Sequence, residues 1–466
     1  MEEVFRAGRA LDSGHGERIR RVEPHPVRSP GMSMRNSTVR AVNRLTAHWA
    51  GAHRGDAGTV FTAAGVWPLL APLADGAAGP ARAELAEALG MPAERAAGAA
   101  RELLAALDGV RGLRAAAGLW TRADLPLEAA WLERLAPGSH GTLSGGAEAD
   151  HKALDAWADR QTDGLVRQMP VTLTEGPDGT RLVLASALAL KTRWIRPFTE
   201  WPGEAAEGPW AGRPLRMLHR FSRLQDRVGV AEGPAGAVTL LEVVGNTGVD
   251  VHLLLGEPGA GSGAVLTTGI EAVTRSRPVV PASLLPAGRP APGLSIGTEL
   301  AQTPGPRLAV RTPAFEVRAV HDLGERARMF GLEAARDSRR SHFPGVSSAP
   351  LAVGSAQQSA VAWFHAEGFE AAAVTAISAV GAGVPPRTRY RVRRTEVSFD
   401  RPFGFLAVHR TSRLVLAAGW VSDPVPYAEP PEKTEEEKRR EEEEADAQWE
   451  EEERAAAASR PAPPSP

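Results

Sequence analysis

Apolar positions change rhythm along this chain. In the first third they recur at three- and four-residue spacing, and beyond about residue 180 they gather into short unbroken or alternating runs. Val39, Val42, Leu45, Ala47 and Trp49 follow Asn36-Ser37 at helical spacing, which predicts a capped amphipathic helix over 37–52. A short strand around Val60 and Phe61 comes next, then a buried helix over 66–74. Gly79-Pro80 opens a helix over 81–89 that closes at Gly90, and the Ala- and Leu-rich 94–107 forms another. Residues 118–121 look extended toward Pro126, and 127–135 and 151–169 return to helix.

After that the pattern is that of strands. Leu182–Leu190 is a buried run, and 238–244 and Val249–Leu255 resemble two strands joined at Gly245-Asn-Thr-Gly248 as a hairpin. Residues 256–306 are rich in Gly and Pro, with one helical piece over 264–274. A strand over 308–317 carries Pro313, which places it at an edge or near an end. A short helix over 323–330 and strands over 353–364, 397–408 and 414–421 complete the list. Helices crowd the first third and strands the rest, an α+β arrangement without the alternation of a parallel fold.

One stretch, 367–386, is too apolar to rest in water and too poor in large side chains for an ordinary core strand. As an extended chain it places Phe369, Ala371, Ala373, Thr375 and Ile377 on one face and Glu370, Ala372, Val374 and Ala376 on the other. Glu370 resists burial, so the first set is the inward one. Propensity alone allows an Ala-rich helix equally well.

The chain has 466 residues, room for one large domain or two ordinary ones, and no cysteine. Disulfides, thiolate metal sites and cysteine nucleophiles are thereby excluded. The net charge of −2 is uneven: from Ala428 onward 14 acidic and 6 basic residues give −8, which leaves +6 on the remainder. Those arginines are scattered rather than interleaved with aromatics, so nucleic acid is not an expected partner. Residues 1–35, polar and Arg-rich, are expected to be a disordered extension or the result of a start site placed too early, because Met32 and Met34 stand just before the first periodic segment. No run is apolar enough to span a bilayer. With no secretory signal the expected location is the cytoplasm, the alternative being extracellular. Residues 425–466, Glu-rich and then Ala- and Pro-rich, read as a solvated, disordered tail.

Candidate chemistry is sparse. Gly259-Ala-Gly-Ser-Gly-Ala264 fits a loose dinucleotide pattern, but Pro258 interrupts the turn and no βαβ unit surrounds it, so a flexible loop is the simpler reading. Histidines 48, 53, 140, 151, 342 and 365 lack zinc-hydrolase spacing and are expected at the surface or in caps. Nothing in the sequence points to a serine nucleophile with its triad. Neither a metal, a cofactor nor an enzyme activity is expected.

Several colinear stretches resemble the serpins, serine-protease inhibitors with some non-inhibitory members, in their bacterial form. They are Ala187-Leu-Ala-Leu-Lys-Thr-Arg-Trp-Ile-Arg-Pro-Phe198, Arg311-Thr-Pro-Ala-Phe-Glu-Val317 with Leu323 and Met329-Phe-Gly-Leu332, and His342-Phe-Pro-Gly-Val-Ser347. Glu367-Gly-Phe-Glu-Ala-Ala-Ala-Val-Thr375 is similar to the family's hinge, and Phe399-Asp-Arg-Pro-Phe-Gly-Phe405 and Gly419-Trp-Val-Ser-Asp-Pro424 to its closing strands. The resemblance covers 36–424 and implies one domain of helices packed on three mostly antiparallel sheets, with 367–386 exposed as a reactive-centre loop. It further implies a monomeric suicide substrate whose partner is a serine protease, held as a covalent acyl-enzyme while the cut loop enters the largest sheet. The family's spacing from hinge Gly368, and from Pro385-Pro386, puts the reactive bond at Ala382-Gly383. A small residue there suits an elastase-like or subtilisin-like target.

Two departures from the family pattern bear on function. Phe369 replaces a small hydroxylated residue in the hinge made of Glu367, Gly368, Phe369, Glu370, Ala371, Ala372, Ala373, Val374 and Thr375. Overpacking of this kind costs about 1–3 kcal/mol and would slow insertion, unless a compensating pocket beneath the sheet removes the penalty. In the sheet-opening region, Thr62, Gly65, Ser186 and Gln358 stand where the family carries a larger polar cluster, while Trp194 is kept. Such a loss suggests replacement as a unit by apolar packing. A non-inhibitory binding or structural module is therefore the alternative function.

Overall fold

The structure is a computed structural model. It describes residues 34–428 other than 177, 178, 206 and 370–388, together with residue 439. Helices Asn36–Gly51, Ala63–Gly76, Gly79–Leu89 and Ala93–Asp108 form where the periodicity predicts them, each within a few residues. Ala63–Gly76 is buried almost throughout despite Pro68 and Pro72. Gly90 ends its helix with φ +63, the left-handed turn that glycine adopts without a Cβ clash. The expected 151–169 helix is Ala147–Gln161 instead. The Asp150 carboxylate accepts hydrogen bonds from the backbone N–H groups of Ser144 and Gly145 (2.7 and 3.0 Å), which fixes the earlier start. Asp163 and Gly164, both at positive φ, end it. Of the expected 127–135 helix only Ala129–Leu132 forms.

Among the described residues, strands make three larger sheets of seven, six and five strands and one two-stranded piece. In the five-stranded sheet the spatial order is Phe315–Asp322, Ser355–Phe364, Leu182–Leu190, Leu113–Arg122 and His140–Leu143. The predicted hairpin is present: Gly236–Val244 and Val249–Leu255 pair antiparallel inside the seven-stranded sheet. That sheet also takes Phe403–His409 and Val415–Val421, and helices Asn36–Gly51 and Ser262–Val273 pack together near it.

Two expected strands are each split between sheets. Residues 308–317 divide at Ala314 into Arg307–Pro313 of the six-stranded sheet and Phe315–Asp322 of the five-stranded one. Pro313 thus sits at a strand end, where a missing donor is harmless. Residues 397–408 divide likewise at Arg401-Pro402, between Tyr390–Ser398 and Phe403–His409. The Gly- and Pro-rich 256–306 holds, besides the helix Ser262–Val273, a hairpin of Gly288–Ala291 and Leu294–Ala301 with no clear periodicity of its own. At the far end, Val425 N–H donates to Ala314 O (2.9 Å) and Tyr427 N–H to Pro214 O (3.0 Å), so the packed chain continues past residue 424. Among the described residues no helix is long and apolar enough to cross a membrane.

Candidate functional site: the seam of the five-stranded sheet

The five-stranded sheet has a parallel seam at its centre; its other parallel pair among the described residues, Leu113–Arg122 with His140–Leu143, lies at one edge. Ser355–Phe364 runs parallel to Leu182–Leu190 for six pairs, from Ser355↔Val183 to Ala360↔Leu188. Beyond that point the strands part: Val361 to Phe364 pair only with the Phe315–Asp322 strand, and Ala189 and Leu190 only with Leu113–Arg122. Parallel pairing is slightly weaker per residue than antiparallel, so the sheet is less secure along this seam than along the antiparallel ladders on either side of it.

The hinge starts at the open end. Gly368–Phe369 lies antiparallel to Thr192–Arg193, in the register Gly368↔Arg193 and Phe369↔Thr192. Glycine is required here because a Cβ on residue 368 would stand 2.4 Å from Thr192 O. Glu367 O accepts from Trp194 N–H (2.9 Å), and the Trp194 indole N–H donates to His365 O (2.9 Å). Trp194 is buried and lies 4.8 Å from Phe364, ring to ring. His365 N–H donates back to Gly368 O (2.9 Å), closing a tight reversal after Phe364.

Phe369 is already inside the protein, only 2% exposed. Its ring is 6.1 Å from Phe405, which lies 5.0 Å from Phe315, itself stacked 5.2 Å from Phe364. The expected overpacking therefore meets a seat built from aromatic rings, and Phe369 occupies it before any loop insertion. Sequence reasoning singled out Phe369, Trp194, Phe315 and Phe405 in separate motifs; what it lacked was the register that brings the last two beneath the first. Glu370, Ala371, Ala372, Ala373, Val374 and Thr375 of the hinge, and the Ala382-Gly383 bond, lie outside the described residues.

Of the sheet-opening residues Thr62, Gly65, Ser186 and Gln358 come together while Trp194 stands apart at the hinge, and the expectation of an apolar replacement is corrected. Gln358, wholly buried, accepts from Thr62 N–H (2.8 Å) and donates to Thr62 O (2.9 Å), tying its strand to the start of helix Ala63–Gly76. Thr62 caps that helix by accepting from Gly65 N–H (3.2 Å). A Cβ on Gly65 would lie 2.4 Å from Ser186 Oγ, so only glycine lets the helix rest on the Leu182–Leu190 strand. The buried Ser186 hydroxyl finds no hydrogen-bond partner among the described residues. The cluster is thus smaller but polar, because one amide side chain saturates both backbone groups of Thr62.

A residue that sequence reasoning missed completes it. His321, directly opposite Gln358 on the next strand, donates from Nε2 to Val60 O (2.9 Å) and packs edge-on to Trp49 at 5.1 Å. Burial holds its imidazole below the ordinary histidine range, against a smaller upward pull from the Val60 hydrogen bond.

The remaining candidates have structural roles. Gly263, within the loose dinucleotide pattern, starts helix Ser262–Val273, and a Cβ there would lie 2.7 Å from His53 O and 2.9 Å from Ala50 O. The preceding strand Val249–Leu255 is antiparallel to both its neighbours, so these glycines serve helix packing. His342 and His365 are buried rather than at the surface, and burial, reinforced by Arg216, lowers the pKa of His365. Among the described residues no three His, Cys, Asp or Glu side chains converge as a metal site would need.

Comparison with known proteins agrees with this geometry. The family described as Serpin (serine protease inhibitor) matches residues 40–205 and 296–424. Putative serpin-Z8 of Oryza sativa subsp. japonica is 27% identical over 335 residues, 66% of this chain and 75% of its own length. Human plasminogen activator inhibitor 2 is 27% identical over 286 residues, covering 60% of this chain and 61% of that protein. Among solved structures, human thyroxine-binding globulin superposes with a TM-score of 0.62 at 17% identity, covering 84% of this chain and 99% of its own. The thermophilic serpin Tengpin in its native state also gives 0.62, at 14% identity, covering 83% and 93%. With its five-stranded sheet, its hinge at the seam and a family match over most of the folded residues, this chain belongs to the serpin family.

Proposed function

We propose that the protein is a suicide inhibitor of a serine protease with a shallow primary pocket, elastase-like or subtilisin-like, and that Ala382-Gly383 is the bond it offers. The protease serine attacks the Ala382 carbonyl, the Gly383 amine leaves, and the ester stays intact if the freed strand enters the sheet before water does. The observation that carries this reading is the hinge at the seam. Gly368–Phe369 already runs antiparallel to the extension of the Leu182–Leu190 strand, in the sense that an inserted strand would have between two strands parallel to one another. Each ladder bond gained on insertion contributes roughly 0.5–1.5 kcal/mol net, so a strand of about ten residues supplies several kcal/mol. The small Ala371, Ala372 and Ala373 suit passage between existing strands.

The buried Phe369 also suits a second reading, a non-inhibitory serpin in which the hinge is an anchor and the loop a fixed surface; thyroxine-binding globulin, among the structural neighbours, is named for a ligand it binds. Incubation with elastase-like and subtilisin-like proteases followed by denaturing electrophoresis separates the two. A covalent complex at the summed mass is the expected result. Clean cleavage, with a cleaved form no more heat-stable than the intact one, favours the anchor.

A further inference from the structure

The strand that follows the loop, Tyr390–Ser398, is held on both sides. On its inner side Arg307–Pro313 pairs with it in parallel for five residues, Arg307↔Arg394 to Arg311↔Ser398. On its outer side Leu294–Ala301 pairs antiparallel for eight, Leu294↔Val397 to Ala301↔Tyr390. Tyr390, Arg391, Val392 and Arg393 therefore have a strand partner only in that outer arm, and Arg389 N–H also donates to Ala301 O (2.9 Å).

The outer arm belongs to the Gly288–Ala291/Leu294–Ala301 hairpin, which turns at Pro292-Gly293. Gly293 has φ +63, and a Cβ on it would lie 2.3 Å from Ser398 O, so the turn is fitted against the strand it covers. Side chains strengthen the hold: the Arg393 guanidinium donates to Ala282 O (3.0 Å) and Leu285 O (2.6 Å), and Glu299 pairs with Arg307 (3.1 Å) and Arg394 (3.5 Å). The family match omits 206–295, so the first arm and the turn lie in a part of this chain beyond the shared pattern.

We infer that this hairpin is a clamp on the downstream anchor of the bait loop, which keeps the uncut loop from inserting itself and reserves insertion for the protease; this rests on the function proposed above. Chain length gives the reason. A strand that begins with Phe369 opposite Thr192 reaches the level of Leu182 about ten residues later, roughly 33 Å down the sheet. Residues 380–389 then span at most about 33–36 Å on the way back. Their anchor is distant: Arg394 stands level with Arg307, upstream of the Ala314 junction through which that strand joins the five-stranded sheet, and Tyr390 lies four residues further out. Full insertion of an uncut loop therefore requires Tyr390–Ser398 to peel away, whereas a cut at Ala382-Gly383 removes the requirement. Without the hairpin Tyr390–Ser398 would be an edge strand held over five residues; with it, an eight-pair ladder must open as well.

The test uses the full-length, uncut protein and three variants: Arg393→Ala alone, Glu299→Lys with Arg393→Ala, and Leu300→Cys with Arg391→Cys. The cysteine pair is directly opposite across the clamp, both positions are exposed, and the chain has no other cysteine. Conversion to an uncut, cleavage-resistant form of raised melting temperature is followed at a temperature where it is measurable. The double charge variant is expected to convert at least tenfold faster than the parent and the single variant to lie between. The oxidised cysteine pair is expected to convert at least tenfold slower, with parental behaviour restored by reduction. Equal rates across parent, loosened and cross-linked forms would overturn the clamp. The cleaved parent is the control. If it gains no thermal stability the loop does not insert, and the proposed function fails together with the clamp; if it gains stability while the rates stay equal, the clamp alone fails. Should the loosened variants not fold, the oxidised and reduced cysteine pair decides.

Discussion

Replacing Phe369 by alanine separates two accounts of the hinge. If the ring is an obstacle, its removal lowers the insertion barrier by the overpacking cost of about 1–3 kcal/mol and speeds complex formation roughly 5- to 150-fold. In the structure the ring is 2% exposed and seated near Phe405 before insertion begins, so its burial is common to the starting state and the transition state. The barrier then gains nothing from the substitution. What changes is the stability of the intact protein, because Phe→Ala in a packed site costs about 3–5 kcal/mol. With an unfolding entropy near 2.1 cal/mol/K per residue over roughly 390 residues, 3 kcal/mol corresponds to a fall in Tm of about 4 °C. Calorimetry of the uncut protein and stopped-flow measurement of complex formation read the two quantities separately. The expected outcome is a lower Tm with no acceleration. An acceleration of tenfold or more at unchanged Tm would refute the seated-ring account.

Gln358→Leu orphans the buried N–H and C=O of Thr62, each at about 1–3 kcal/mol, so a loss of about 2–6 kcal/mol is expected in denaturant titration; an unchanged midpoint would show that the amide does not bridge strand and helix. Gly368→Ala forces a Cβ against Thr192 O and should release the hinge, read as faster hydrogen exchange at Thr192 and Phe369; protection equal to the parent's counts against the two-residue ladder. Ala382→Arg supplies the cation that a trypsin-like pocket takes, and a covalent complex with trypsin is the expected gain; fragments cut elsewhere would move the reactive bond. Burial lowers the pKa of His53, His140, His252, His321, His365 and His409. The folded form keeps these rings neutral where the unfolded chain protonates near 6.5, so their contribution is present above that pH and is lost as pH falls below it. Glu200, raised by burial despite Arg216, acts in the opposite sense, but it is one group against six. Tm should therefore fall between pH 7.5 and 5.5, and a flat or rising profile would contradict the burial of these imidazoles.

The sequence by itself determined the elements whose signals are local. Periodicity located helices Asn36–Gly51, Ala63–Gly76 and Ala93–Asp108, glycine and proline marked Gly79–Leu89 at both ends, and an apolar run interrupted only by Ser186 delimited Leu182–Leu190 to the residue. Colinear motifs then identified the serpin fold and the residues that meet at its seam. Tertiary structure decided whatever depends on a partner distant in sequence. The strand read over 308–317 became two because the chain changes sheets at Ala314, a break that apolar patterning does not record. The Leu294–Ala301 arm carries little pattern of its own and is a strand because Tyr390–Ser398 lies beside it. Phe369 illustrates the same division at the site. Alternation put it on the inward face, but whether an inward phenylalanine is a burden or an anchor depends on the space beneath it, and that space is formed by Phe405 and its aromatic neighbours from other strands.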